Sequence, residues 1–328
     1  MKALRSVAVA AVCLPCMVEM PGVAEAAEAA KAEEAPWMRT LTPITQPQRG
    51  PEKAIPPLEG TAKYTFGWSG LVAAKGELRF SEVRPGMRRM DLSARTVGGV
   101  RTLWRLDAVA LSEVNATTFL PLRVRQWEKY RSRNVITALQ FVPGGVLHSK
   151  GRIKGDPPPA FFRDTGEKEP IDKDRLRSFT GERARKFKFS PLLDAHAALL
   201  WVRQQPLKSG ERFQLVIFQE NSAYLARVRV RQRETITVRG VRRAAIPLDI
   251  SLEWIDDDKK LQPHTKFKSA TGWYSDDADR VPLKLEVEIF VGRIWAELES
   301  FSKPPVASGS PADSNSAAES PKGQGNGR

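Results

Sequence analysis

Cysteine is almost missing. Only two occur in 328 residues, Cys13 and Cys16, and histidine occurs three times. So few thiolate and imidazole ligands exclude the zinc-finger, iron–sulfur and disulfide-scaffold classes. Long apolar runs are lacking too, and a mean hydropathy of −0.37 excludes a polytopic membrane protein. Negative charge is in deficit: 38 acidic against 52 basic residues leave +14. What is present is 41% hydrophobic residues, which excludes a wholly disordered chain. The length suits one large β domain or two small ones.

Both cysteines lie in an address. Residues 1–26 carry Lys2 and Arg5, then an apolar run from Ser6 to Val18, then the small-x-small site Ala24-Glu25-Ala26. The run falls short of the ~20 apolar residues that span a bilayer. This pattern predicts a cleaved secretory signal peptide, against the alternative of a short buried helix. Ala27-Glu28-Ala29 is a second cleavage site nearby. Pro15 before Cys16 and Val12 before Cys13 fit a lipoprotein signal poorly. The mature chain then has no cysteine and no transmembrane segment. Lys2 and Arg5 balance Glu19 and Glu25, so it keeps the whole +14.

Residues 27–57 are rich in Ala, Glu and Pro and read as a flexible leader. Residues 303–328 are Ser, Ala, Pro and Gly with little to bury and read as a disordered tail. The body between them, 58–302, reads as one domain. Tyr64, Phe66 and Trp68 recur every two residues, which places three rings on one strand face. Similar alternation recurs along the body, punctuated by Pro85-Gly86, Gly144-Gly145 and Asp276-Asp277. The spacing predicts a mainly β fold, a curved antiparallel sheet or open barrel of about 10–12 strands. Residues 151–189 are basic and Pro-bearing and read as a long surface excursion.

One segment departs from the β pattern. Residues 191–203 are apolar nearly all round, with Ser190 suited to the N-cap and Pro191 to the first helical position. A buried helix in a β chain predicts a sheet that encloses it, with Trp201 facing the same interior as Tyr64, Phe66 and Trp68.

The blocks Leu192-Leu193-Asp194-Ala195 with Arg203, Pro206-Leu207 and Gly210, and Trp273-Tyr274-Ser275-Asp276-Asp277 with Arg280, Pro282-Leu283, Gly292 and Ala296-Glu297-Leu298, together resemble a bacterial exported family, domain of unknown function 3108. Tyr64, Trp68, Gly70, Gly76 and Arg95-Thr96 fit it too. The resemblance covers about 58–301. It implies a β-rich domain in the periplasm or exposed envelope, and it supplies no known activity, catalytic residue or cofactor.

Chemistry-bearing patterns are few. Gly67-Trp68-Ser69-Gly70 brings its second glycine one residue early for a nucleophile elbow. His196 lies beside Asp194, but two residues apart on one helix do not face each other. Asp256-Asp257-Asp258 and Asp276-Asp277 lack calcium-loop spacing and read as turns. Arg227, Arg229, Arg231 and Arg233 alternate along one run, and Arg123, Arg125, Lys129, Arg131 and Arg133 form a second basic strip. Either strip is a solvated face or a grip on anionic envelope polymer or a protein partner. Export argues against nucleic acid.

The expectation is a non-enzymatic periplasmic protein that holds an apolar or amphipathic, lipid-like ligand inside its sheet, with no metal or cofactor. The rivals are an interaction module acting through its Arg faces and an enzyme with an unrecognised site. Nothing in the sequence bears on oligomeric state. The address is tested by intact mass of the exported protein, expected to begin just after Ala26 or Ala29. A chain retaining an acylated Cys16 would overturn it.

Overall fold

The alternating runs become hairpins. The computed structural model describes residues 35–41, 58–131, 133–157, 176–186, 192–219 and 221–304. The signal peptide, most of the leader, the C-terminal tail and much of the 151–189 stretch lie outside them. Of the leader, 35–41 form a short turn that docks on the sheet, with Met38 buried and the Trp37 indole donating to the Lys259 carbonyl at 2.7 Å.

Among the described residues one sheet carries seventeen strands, more than the 10–12 expected, all paired antiparallel except the short β9. The first eight are β1 (Gly60–Trp68), β2 (Leu71–Arg84), β3 (Met87–Thr96), β4 (Leu106–Asn115), β5 (Pro121–Tyr130), β6 (Arg133–Val142), β7 (Gly145–Ile153) and β8 (Leu176–Lys186). A one-and-a-half-turn helix, α1 (Gly98–Leu103), interrupts the series after β3. Then come β9 (Leu192–Leu193), the helix α2 (Ala195–Gln204), β10 (Arg212–Gln219), β11 (Ser222–Val230), β12 (Glu234–Val238), β13 (Val241–Ile255), β14 (Leu261–Pro263), β15 (Phe267–Ser275), β16 (Pro282–Ile289) and β17 (Gly292–Ser302). The 151–189 stretch is therefore not all excursion: β7 runs to Ile153 and β8 pairs with it. β8 escapes a pattern search because LRSFTGERARK is mostly polar.

The chain closes on itself through β1, which pairs with both β17 and β2. From there β2 through β8 pair in succession one way, and β17, β16, β15, β13, β11 and β10 the other. Directly paired residues share a face. The register thus carries one interior face from Ile217 and Tyr224 on one side to Phe80, Met90, Ser112, Val124 and Leu139 on the other.

The two ends of the sheet meet face to back. Val124, Leu139 and Val146 on the interior face of β5–β7 pack on Val216, Phe218, Ala223 and Leu225, which are the backs of β10 and β11. The sheet is thus a nearly closed, barrel-like roll whose ends overlap. That is why β10 and β11 are apolar on both faces, with Leu215, Val216, Phe218, Leu225 and Ala226 all buried.

α2 lies inside the roll against β10 and β4. Its start differs from the expected Ser190 cap. Leu192-Leu193 pair in parallel with Val216-Ile217, so the chain is still extended there, and Asp194 is the N-cap. The Asp194 carboxylate accepts from the His196 and Ala197 amides at 2.7 and 3.1 Å, and its second oxygen accepts from Ser112 Oγ of β4 at 3.0 Å. One buried carboxylate thus starts the helix and ties it to the sheet. Asp194→Ala is expected to cost about 2–4 kcal/mol in urea unfolding, because it removes a cap and leaves a buried Ser112 hydroxyl unpaired. An unchanged midpoint would show that the cap is dispensable.

A candidate ligand cavity beneath the helix

The helix roofs an apolar space. At 100° per residue, Ala195, His196, Ala198, Leu199 and Val202 share one side of α2, and Ala197, Leu200 and Trp201 the other. The first set lines a cavity of about 230 Å³. Its walls come from both halves of the sheet: Tyr64, Phe66, Leu78, Met90 and Leu92 from β1–β3, and Leu215, Tyr224, Ala226, Leu248, Ile250 and Leu285 from β10–β16.

The four aromatic candidates divide. Tyr64 and Phe66 line the cavity, with ring centroids 6.2 Å apart. Phe66 lies over Gly76, where a Cβ would come within 2.9 Å of the ring. Trp68 stands outside the lining. The register of β1 against β2 shifts between Phe66 and Gly67, and the Trp68 indole donates to the Val291 carbonyl at 3.2 Å. Trp201 faces away from the cavity and packs edge-on to Phe213 at 5.6 Å. Of the walls that the sequence did not single out, β13 carried a signal all the same, with Leu248, Ile250 and Leu252 at alternate positions, whereas the lining residues of β15 and β16 do not alternate.

The polar groups at the cavity are mostly engaged. Tyr64 Oη donates to the Pro282 carbonyl at 2.8 Å and Tyr274 Oη to the Leu199 carbonyl at 3.0 Å. Lys284 sits between Glu286 and Glu297 at 3.0 and 3.3 Å, over the Trp273 ring at 5.8 Å. Burial opposes its charge, but the two carboxylates hold its pKa above the ordinary lysine value.

His196 and Asp194 do face each other, contrary to the expectation for two helical residues. Asp194 is outside the helix, and its Oδ1 lies 3.4 Å from His196 Nδ1. The carboxylate stands between the imidazole and Ser112, so the hydroxyl donates to an acid rather than to a histidine base. Among the described residues no group of three or more His, Cys, Asp or Glu is placed to hold a metal.

The Arg candidates do not share one strand face. β11 ends at Val230, so Arg227 and Arg229 lie within it and Arg231 and Arg233 beyond. Arg227 pairs with Glu253, Arg231 lies 3.6 Å from Glu234 and 3.7 Å from Asp249, and Arg233 is 3.0 Å from Asp276. In the second strip Arg123 pairs with Glu113, and Lys129 with Asp156 at 2.8 Å.

The helix C-terminus joins the two sequence blocks quoted above. Arg280 donates to the carbonyls of Arg203 at 3.1 Å, of Pro206 at 3.2 Å, and of Gln205. Arg203 Nε donates to the Asp279 carbonyl at 2.7 Å. The Asp277 carboxylate accepts from Ser275 Oγ and from the Asp279 and Arg280 amides, which sets the turn that presents them.

A sheet rolled around one buried helix, with an apolar cavity between them, defines a barrel-like β class. The family model described as Protein of unknown function (DUF3108) matches residues 63–299, and the chain belongs to that family. Among solved structures, a beta-barrel-like protein of domain of unknown function DUF1849 from Brucella abortus matches at 9% identity and a TM-score of 0.45, over 77% of this chain and 100% of that one. A protein with a YmcC-like fold from Bacteroides fragilis matches at 12% identity and a TM-score of 0.28, over 76% and 98%. No curated protein matches the chain. Among the described residues no helix is long and apolar enough to cross a membrane.

Burial raises the pKa of both Tyr64 and Tyr274 far above the ordinary phenol value; Tyr274 adds to the shift of Tyr64, and Arg203 offsets that of Tyr274 only in part. A raised folded pKa means that their stabilisation is complete below the unfolded value near ~10 and is lost as pH climbs toward the folded one. In an alkaline titration followed by phenolate absorbance, these two of the four tyrosines are expected to ionise only as the protein unfolds. Loss of the late-ionising phase without unfolding would show that the rings are solvated.

Proposed function

We propose that this is an exported, non-enzymatic protein of the periplasm that binds an apolar or amphipathic, lipid-like ligand in the cavity beneath α2. The single observation that carries the reading is the cavity of about 230 Å³ with apolar walls. It exceeds the ~150 Å³ at which an apolar protein cavity takes up benzene and is smaller than the ~300 Å³ of a full small-molecule pocket. Those bounds suit one narrow apolar chain. An unfilled space of this size costs on the order of 5 kcal/mol, so an occupant that fills it gains that amount in principle. The signal-peptide pattern supports export. The Arg faces give less support to an anionic-polymer grip, because Glu253, Asp249 and Asp276 neutralise most of them.

Gly272 supplies the test. It lines the cavity in β15, and a Cβ there would meet only Ile250 and Leu285 side chains, each at an ordinary 3.8 Å. Gly272→Leu is therefore expected to fold and to fill the space. Titration of the protein with 1-decanol, followed by native mass spectrometry and calorimetry, should show one bound molecule in wild type. Binding should persist in about 0.5 M salt, where the Debye length is well below ~8 Å, and should weaken at least tenfold in Gly272→Leu. Equal binding by the folded variant, or none by wild type, would overturn the cavity reading.

A further inference from the structure

One end of the roll carries apolar side chains that the fold does not bury. Neighbouring strands alternate in direction, so the β1–β2, β3–β4, β13–β14 and β16–β17 connections all lie at this end. Here Leu103 of α1 is 77% exposed, Leu71 and Val72 after the β1–β2 turn are 59% and 45% exposed, and Phe290 in the β16–β17 turn is 52% exposed. None of the six residues of α1 is buried. A helical turn that buries nothing gains no stability from packing. A Cβ on Gly98 or Gly99 at its start, or on Gly70 of the β1–β2 turn, would meet nothing within 4 Å.

These tips are neighbours. The Val97 amide at the head of α1 donates to the Ala73 carbonyl of β2 at 3.0 Å. The Ser69 amide donates to the Arg293 carbonyl at 2.8 Å, and the Trp68 indole to the Val291 carbonyl, so the β1–β2 and β16–β17 turns lie side by side. The four side chains thus stand along one edge, from α1 to the β16–β17 turn.

Cations flank that edge. Arg101 and Arg105 bracket Leu103 in the chain, and one carboxylate, Asp107, serves both, at 2.9 and 3.7 Å. Arg293 follows the β16–β17 turn and is exposed, 3.4 Å from Glu286 and 3.5 Å from Glu288. The Phe290 amide donates to the Lys266 carbonyl at 3.2 Å, which sets Lys266 beside the same turn. Asp256, Asp257 and Asp258 gather in the β13–β14 connection, past the exposed Trp254.

Apolar tips on separate turns make neither a groove nor a flat face for a folded partner. Each can enter the headgroup layer of a bilayer on its own, with the adjacent Arg and Lys at the level of the phosphates. The chain's charge of +14 favours an anionic surface over a neutral one.

We propose that this end of the roll docks on an anionic lipid bilayer, with Leu71, Val72, Leu103 and Phe290 at the boundary between headgroups and acyl chains. The docking is peripheral, and it stands whether or not the cavity holds a ligand.

The test is flotation of the full mature chain with vesicles of phosphatidylethanolamine and phosphatidylglycerol, compared with vesicles of phosphatidylcholine. Wild type should bind the anionic vesicles at least about tenfold more tightly. Leu103→Ser combined with Phe290→Ser removes two tips at unchanged charge and should weaken that binding at least about tenfold. Arg105→Gln combined with Arg293→Gln should weaken it severalfold and narrow the difference between the two lipids. Val83→Ser combined with Leu122→Ser, exposed residues at the opposite end, should leave it unchanged. No flotation of wild type, equal flotation of the Leu103 and Phe290 variant, or an equal loss in the Val83 and Leu122 variant would overturn the proposal. A dimer in light scattering that the Leu103 and Phe290 variant dissociates would overturn it too, by assigning the edge to a second copy of the chain. Should that variant not fold, the lipid comparison and the arginine pair still decide.

Discussion

A helix inside a sheet must satisfy its end peptide groups without solvent, and the rest of this structure depends on how that is done. At the N-terminus Asp194 receives two helix amides and a hydroxyl from β4. At the C-terminus Arg280 donates to three carbonyls. The orphan groups of a buried helix would otherwise cost several kcal/mol together. These two residues arrive from opposite directions, Asp194 from the strand before the helix and Arg280 from the β15–β16 turn. They fix where α2 sits in the roll and how it is rotated.

Rotation matters because it decides which residues meet the open space. The side of α2 carrying Leu200 and Trp201 is packed, with Trp201 against Phe213. The other side presents Ala195 and Ala198 among its residues, and the sheet answers with Gly272, Ala226 and Ala296. Small residues facing small residues leave volume that close packing would normally remove. The cavity is therefore built by residue choice on both surfaces.

Legibility followed the physics of each feature. The hairpin strands showed because one face is buried and the other wet, as in β3, where Met90, Leu92 and Ala94 alternate with Asp91, Ser93 and Arg95. β4 was hidden because Ser112 and Glu113 are buried along with Ala110 and Leu111, so its alternation is lost. Glu113 is buried beside Arg89 and Arg123, which come from the neighbouring strands. Tyr64, Phe66 and Trp68 were legible as a shared face, since they pair in unbroken alternation with Leu298, Ala296 and Ile294 of β17, but that the cavity ends short of Trp68 was not. The helix was legible as an apolar segment, but its start moved from Ser190 to Asp194 because Leu192-Leu193 first pair with β10. Arg203 stood in plain view as the lone cation of that segment.

By itself the sequence determined the β character, the single buried helix, the family and the export signal pattern, because each is written in local periodicity, local composition or short motifs. The tertiary structure alone decided three further things. It made the sheet overlap face to back, it set which helix residues roof the cavity, and it left the η nitrogens of Arg203 without a hydrogen-bond partner among the described residues. All three depend on contacts between segments some tens to more than a hundred residues apart, such as Val124 with Leu225 and Arg203 with Asp279. Local periodicity states that a face is buried. Only the closed chain states what it is buried against.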